Sequence, residues 1–318
     1  MDKDSFKKSF REEIRFRYKY YIKRKMYIPD RIMLKKLYME KTGKKLNLIN
    51  PKTFSEKLQW MKLYYRRPLF TIMADKYRNR FYVEKITGKD YSVPLLGKWD
   101  RPEDIDFNNL PNEFVLKTNH DDKPILILDK ERENYQKIRH DLYVKLNTSF
   151  YAVAREWAYK NIKRCIYAEE LLGDGKTPLL DYKFFCFDGE VKFLYIFSDS
   201  TDGKHGKMNF YDRDFKEAPF NHWHYPKNEN PIPKPENFDE MVALAEQLSK
   251  DIPFVRVDMF NVKGKIYVGE FTFYPTGGYV NFEPKEYDEI IGSWLKQPFM
   301  WKKKKEIDLE WYLDTLSR

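Results

Sequence analysis

Phe254-Val255-Arg256-Val257-Asp258-Met259-Phe260 runs into Asn261-Val262-Lys263-Gly264, and the chain then returns from Lys265 through Val268-Gly269-Glu270-Phe271-Thr272-Phe273. Alternation of period two around a glycine-bearing turn predicts a β-hairpin. Successive side chains of a strand point to opposite faces, so Arg256 and Asp258 share one face of the first strand and Glu270 and Thr272 one face of the second. Asp258 and Glu270 lie equally far from Gly264. With that glycine at the centre of the turn, the two carboxylates face each other on one side of the sheet. Like charges so placed are destabilising unless something cationic sits between them.

A hard divalent cation supplies that charge. Magnesium prefers oxygen ligands and is typically held by one or two carboxylates together with substrate phosphates. Asp258 and Glu270 are therefore candidate metal ligands, and Thr272 can add an oxygen directly or through water. Arg256, two residues before the first carboxylate, can stabilise negative charge on a transferred phosphoryl group or an acyl phosphate. A second reading stays open, in which Arg256 only neutralises the pair within a structural ion network.

Outward from the hairpin, 318 residues are enough for two or three packed subdomains. Hydrophobic residues make up 42% and aromatic residues 17%, which excludes a disordered chain despite 34% charged residues. Cys165 and Cys186 each sit in an apolar stretch and resemble neither a disulfide framework nor a zinc site, as expected of a cytoplasmic protein. No window approaches the roughly 18 to 20 apolar residues of a membrane-spanning helix. Phe6, Phe10 and Ile14 are separated by Lys and Arg, so the N-terminus has no signal-peptide core.

The net charge of +10 is unevenly placed, because residues 1 to 45 hold 16 Lys and Arg against 6 Asp and Glu, leaving 43 against 43 in the rest. In this extension Phe6, Phe10, Ile14, Tyr18, Tyr21 and Ile22 recur at helical spacing between basic residues. Two readings remain: a helix lying on the inner, anionic face of a membrane, and a solvated helix whose aromatic stripe packs on the body. No nucleic-acid motif accompanies the patch, and nucleic acid is not an expected partner.

Asn50-Pro51-Lys52-Thr53-Phe54-Ser55-Glu56 reads as a turn and a capping box, with Thr53 as N-cap before a helix through Leu58, Met61, Leu63 and Tyr64. A second helix is expected from about Phe70 to Lys85, closed by Gly88, and a strand over Tyr91 to Leu96. Phe114 to Lys117 and Ile125 to Leu128 predict a hairpin with a mobile tip at Thr118 to Pro124. Helix is expected over about Tyr135 to Lys160, and strands at Ile166–Leu172, Lys183–Cys186 and Lys192–Phe197. A long connection from Pro219 to Pro235, a helix near Phe238 to Lys250 and a Lys-rich C-terminus complete an α+β chain.

Asp75-Lys76-Tyr77, Phe114 to His120, Glu169-Glu170-Leu171, Asp181-Tyr182-Lys183-Phe184 and Arg256-Val257-Asp258 with Gly269 to Phe273 occur in that order. The series resembles the TupA-like group of ATP-grasp proteins, related to teichuronopeptide biosynthesis, over roughly residues 50 to 290. The opening Asn50 to Tyr65, with Pro51, Phe54, Lys57, Leu58, Gln59 and Trp60, is similar as well.

The resemblance implies an ATP-grasp fold of two α+β subdomains clasping the nucleotide. Its divisions are a basic helical extension over residues 1–50, an N-terminal α/β subdomain over 51–110, a lid over 111–168, a C-terminal subdomain with the metal hairpin over 169–300, and a Lys-rich helix over 301–318. It implies ATP and Mg2+ as cofactors, with Lys76 and Lys117 on nucleotide phosphates, Glu169, Glu170 and Leu172 in the strand that reads adenine, and Asp181 and Lys183 near ribose and phosphate. Arg256 and Lys183 are the catalytic candidates, and Asp258, Glu270 and Thr272 the metal ligands; the family often has Asn at the position of Thr272.

The family commonly has a glycine-rich phosphate cover after Asn119-His120, where this chain carries Asp121-Asp122-Lys123-Pro124. Glycine lets backbone N–H groups approach a phosphate, and aspartates repel it. Thr276-Gly277-Gly278 forms an expected flexible turn for the acceptor carboxylate, and His222, Trp223 and His224 are candidate sugar contacts. The implied activity joins a carboxylate to an amine through an acyl phosphate. The implied substrate pair is a uronic acid of a surface polysaccharide such as a capsule, and an amino acid or amino sugar. The alternatives are a capsule or O-antigen glycosyltransferase using a nucleotide sugar, and a non-catalytic basic surface-binding protein.

Overall fold

The computed structural model describes residues 27–121, 124–198, 206–222, 224–230, 232–297 and 309–318. The basic stretch 1–26, Asp122, Lys123, His205, Trp223, and Trp301 with Lys302 to Lys305 lie outside the described residues. In chain order the helices are α1 (Asp30–Thr42), α2 (Phe54–Tyr64), α3 (Leu69–Ala74), α4 (Asn79–Thr87), α5 (Tyr135–Leu146), α6 (Phe150–Ala154), α7 (Phe238–Ser249), α8 (Tyr287–Trp294) and α9 (Leu309–Ser317). The strands are β1 (Leu95–Trp99), β2 (Phe114–Thr118), β3 (Ile125–Ile127), β4 (Ile166–Glu170), β5 (Asp181–Phe187) and β6 (Glu190–Ser198), followed by β7 (Lys207–Asp212), β8 (Asn221–His222), β9 (Val255–Val262), β10 (Lys265–Thr272) and β11 (Phe282–Glu283). No described helix is long and apolar enough to cross a membrane.

Two antiparallel sheets carry the architecture, one of four strands in the order β1-β4-β2-β3 and one of five in the order β10-β9-β5-β6-β7. In the five-stranded sheet, Phe184, Cys186, Leu194, Ile196, Val257 and Met259 are completely buried on one face. They pack in one core cluster with Phe238, Met241, Ala245 and Leu248, which recur along α7 at helical spacing. Each large apolar side chain removed from water contributes about 1.5–3 kcal/mol, so this face fixes the sheet and leaves the other face free to carry polar groups. The four-stranded sheet has its own smaller core, in which Phe114, Leu116, Ile166 and Ala168 meet Ile138 and Leu142 of α5. Val115, Lys117, Tyr167 and Glu169 alternate with those residues and belong to the sheet's opposite face.

Thr53 caps α2 as expected: its side chain accepts from the Glu56 N–H at 3.1 Å, and the Glu56 carboxylate accepts from the Thr53 N–H at 3.3 Å. The continuous helix expected from Phe70 to Lys85 is instead broken after Ala74. The buried Asp75 carboxylate takes the backbone N–H groups of Tyr77 and Arg78, both at 3.0 Å, which starts α4 afresh and leaves Lys76 on the turn. The helix expected over Tyr135 to Lys160 likewise ends at Leu146, where Asn147 and Thr148 bond back to the last turn, and Ser149 caps the short α6.

The strand placed over Tyr91 to Leu96 begins only at Leu95, and that placed over Ile166 to Leu172 ends at Glu170. The Pro219–Pro235 connection contains a short strand, β8, paired with β11 through His222 and Phe282. Pro275–Gly278 is a compact turn held from below. Gln59 donates to the Gly278 carbonyl at 2.8 Å, and Lys62 to the Gly277 carbonyl at 2.7 Å.

Candidate active-site cleft

The polar face of the five-stranded sheet carries a cross-strand row of four residues, Tyr195 on β6, Lys183 on β5, Asp258 on β9 and Glu270 on β10. The hairpin that builds its end is not centred on Gly264. Lys263 and Gly264 form a two-residue turn with φ of 52° and 79°, which pairs Lys265 with Val262 and Val268 with Met259. Continued unchanged, that register sets Asp258 opposite Gly269 and sends Glu270 to the α7 side of the sheet. The register shifts between Val268 and Glu270, leaving Gly269 unpaired, so that Glu270 stands opposite Asp258 and Thr272 opposite Arg256. A Cβ at Gly269 would lie 3.3 Å from the Phe260 ring, so the bulge sits where a side chain has little room.

Cations fill the space among the carboxylates. Arg256 grips Asp258 with both arms, Nε to Oδ1 at 2.7 Å and Nη2 to Oδ2 at 2.6 Å, and also donates to the Thr272 hydroxyl at 3.0 Å and the Tyr195 hydroxyl at 3.1 Å. Lys183 lies 2.6 Å from Asp258 and 2.5 Å from Asp181. Lys76 bridges Glu270 at 3.2 Å and the Asp121 carbonyl at 2.8 Å, and the Tyr159 hydroxyl stands 3.5 Å from the other Glu270 oxygen. Burial alone would raise the Asp258 carboxyl, but Arg256 and Lys183 overcome it and hold the group below the usual carboxylate range. For Asp181 burial wins over Lys183, and its carboxyl is raised. Burial opposes the charge on Lys183, yet Asp181 and Asp258 outweigh it and raise the ammonium.

Two cavities open beside this row. One, of about 360 Å3, is lined by Lys76, Lys117, Glu169, Glu170, Leu172 and Asp181, which are the nucleotide candidates of the sequence apart from Lys183. Lys117 and Glu169 form an ion pair across its floor. The other, of about 490 Å3, contains Lys183, Arg256, Asp258 and Glu270 and extends to Tyr195, Phe210, His222 and Tyr225. Lys76, Lys117 and Asp181 line both. Thr272 lines neither, since it is buried beneath Arg256. The His222 imidazole is lowered to about 4 by burial, with the nearby His224 adding to the effect, and its Nδ1 accepts the His224 N–H at 3.2 Å.

The first aspartate of the loop after His120 is already compensated. The Asp121 carboxylate lies 2.5 Å from Lys145 at the end of α5, while its backbone carbonyl takes Lys76. Asn119 ties the loop to the Asp75 turn, donating to the Asp75 carboxylate at 2.9 Å, and its carbonyl accepts the Lys76 N–H at 2.9 Å. Lys145, Tyr159, Tyr195 and Asn119 escaped the reading of candidate site residues from the sequence. Only Asn119 stood within a recognised motif; the others approach through tertiary packing that no local pattern encodes.

The donors fit magnesium in kind, since Asp258 and Glu270 offer hard oxygens from adjacent strands. Among the described residues no group of three or more His, Cys, Asp and Glu side chains forms a complete cage. Asp181 Oδ1 is buried without a hydrogen-bond partner, an acceptor left over at the point where both cavities meet.

Among solved structures, the chain is similar to the ATP-grasp ligase PsnB complexed with minimal precursor, at 13% identity and a TM-score of 0.39 over 76% of this chain and 68% of that one. It is similar to an L-amino acid ligase from Bacillus licheniformis at 12% identity and a TM-score of 0.46, over 79% of this chain and 58% of that one. A D-alanine–D-alanine ligase from Bacillus anthracis complexed with ATP shares 14% identity at a TM-score of 0.38, over 77% of this chain and 66% of that one. The chain thus spans about three fifths to two thirds of the length of these structures. No curated protein matches it. The model of the TupA-like ATP-grasp family matches residues 56–296, a span that takes in both sheets and the cleft between them. The chain belongs to the TupA-like ATP-grasp family.

Proposed function

We propose that the cleft carries out an ATP- and magnesium-dependent ligation in which a uronic acid of a surface polysaccharide is amidated by an amino acid or amino sugar. The observation that carries this reading is the Asp258–Glu270 pair in the larger cavity, next to Lys76 and Asp181, which line both cavities. ATP occupies the smaller cavity, with the edge from Glu169 to Leu172 against adenine, Asp181 at the ribose and Lys76 and Lys117 on the phosphates. Asp258 and Glu270 would hold magnesium, which when bound offsets phosphate charge and the repulsion between triphosphate and an incoming carboxylate; Thr272, buried beneath Arg256, accepts from that guanidinium instead.

A substrate carboxylate oxygen bonds to the γ-phosphorus as the bond to ADP breaks, and Arg256 and Lys183 bear on the charge of the transferred group. The amine then bonds to the acyl carbon, phosphate leaves with the electron pair, and the amine loses a proton. No protein nucleophile takes part. The aromatic walls around Tyr195, Phe210 and Tyr225 in the larger cavity favour a ring-shaped, hydroxylated acceptor, which supports the sugar. Such a reaction belongs on the cytoplasmic side, where ATP is available.

The test is a screen of uronic acids and amines for release of ADP and phosphate. Product formation that needs both partners supports the proposal. Release of a nucleoside diphosphate from a sugar nucleotide instead would make the protein a glycosyltransferase and overturn it.

A further inference from the structure

We infer that the outward side of α1, together with the segment that follows it to residue 52, docks on the surface of an anionic lipid bilayer. The inner side of α1 is committed to the fold, since Leu34 and Tyr38 are buried with Leu46 and Leu48. The outer side presents Ile32, Lys35, Lys36 and Met39 at spacings of three, four and seven, which form one stripe of a helix. Ile32 is 59% exposed and Met39 42%; beyond the helix, Leu46 and Leu48 point inward and Ile49 is 94% exposed.

Charge on this segment is one-sided. Arg31, Lys35, Lys36, Lys41, Lys44 and Lys45 are all exposed. Of the two acids, Asp30 pairs with Arg66 at 2.6 Å and Arg155 at 3.1 Å, and Glu40 lies 3.8 Å from Lys36. Scattered exposed apolar residues are ordinary on a protein surface. Here Ile32 and Met39 share one side of the helix with Lys35 and Lys36, so that on a bilayer the apolar groups enter the boundary region while the lysine stems lie along it and their ammonium groups stay at the phosphates. A nucleic acid offers phosphates but no place for Ile32, Met39 and Ile49, and that favours the bilayer.

The full-length protein is tested by co-sedimentation with phosphatidylcholine vesicles, with and without phosphatidylglycerol. Binding is expected only with the anionic lipid and is expected to weaken as salt rises. Lys35→Glu/Lys36→Glu and Ile32→Asp/Met39→Asp should each weaken it by at least about tenfold, with the melting temperature and ATP turnover in solution unchanged. The stripe is exposed and lies outside the cleft, so loss of turnover in the parent protein bears on the ligase reading and leaves this one standing. Undiminished vesicle binding by Ile32→Asp/Met39→Asp, or binding to polyuridylic acid in place of vesicles, overturns it.

Discussion

Asp258 and Glu270 face each other across two strands because Gly269 is left out of the ladder between them. A two-residue turn sets one register and the bulge resets it by one position, and a shift of one residue reverses which face every later side chain occupies. The carboxylate pair is therefore a product of the turn and the bulge together. Near the turn the hairpin follows one register, and only beyond Gly269 does the second apply.

Glu270→Gln isolates the charge of that pair from its shape. Glu270 is partly exposed and its ion partner Lys76 lies at 3.2 Å, so the change in stability is expected to stay below about 1 kcal/mol. Turnover of ATP should fall by about a hundredfold to a thousandfold, the loss usual for one electrostatic contact to a reacting group. ADP release together with a thermal melt checks both halves, and unchanged turnover would sink the metal assignment.

Arg256 separates a structural from a catalytic role for the ion network. Arg256→Met strands the buried Asp258 with Lys183 as its remaining cation, and about 3 kcal/mol of stability should be lost, read by denaturant unfolding. Arg256→Met/Asp258→Asn removes the stranded charge and is expected to regain most of that stability. If Arg256 and Asp258 both serve only the structural ion network, activity returns with the fold in the double variant. The expected outcome is a stable and inactive protein.

The legible parts of the fold were those with short-range causes: the capping box at Thr53, α7, and the alternation of β5, β6, β9 and β10. Asp75 defeated the helix expected through Phe70 to Lys85 because its carboxylate bonds two backbone N–H groups that a continuous helix would have used otherwise. That break is also what frees Lys76 to reach Glu270, so the miss in secondary structure and the position of a site residue share one cause. The charge balance of Asp121 was hidden for a similar reason. Its neutralising partner, Lys145, lies 24 residues away in sequence, beyond any local pattern.

His120 makes the loop that holds Lys76 sensitive to acid. Burial lowers the imidazole from the ordinary 6.5 to about 4, helped by Arg164, and Nε2 faces the carbonyls of Lys145 and Thr148, each at 3.2 Å. A folded value below the unfolded one means that the unfolded chain takes up the proton first, so stability is full above pH 6.5 and is lost as the pH falls toward 4. Between pH 7 and 5 this one group should remove about 2 kcal/mol. His120→Gln should shrink the difference in urea unfolding free energy between those two conditions by that amount, and an equal difference in both proteins would count against the buried neutral ring.

Lys62 holds the turn that lines the larger cavity. Its ammonium is buried, donates to the carbonyls of Ala154 at 3.0 Å and Gly277 at 2.7 Å, and lies 5.5 and 5.4 Å from the rings of Tyr274 and Tyr279. Burial lowers it from 10.5 to about 8, with Glu156 opposing the shift. The unfolded chain again binds the proton more tightly, so stability should rise with pH between about 8 and 10.5, by about 1.4 kcal/mol per unit at the steepest. Lys62→Met deletes that slope, and it also deletes the bond that fixes Gly277, next to the cavity-lining Thr276. The variant is therefore expected to show a flat stability profile over pH 8 to 10, measured by denaturant unfolding, and a raised KM for the carboxylate substrate with the KM for ATP little changed. A slope retained in Lys62→Met would place the titrating group elsewhere. Equal rises in both KM values would mean that the turn supports the whole cleft and not the acceptor side alone.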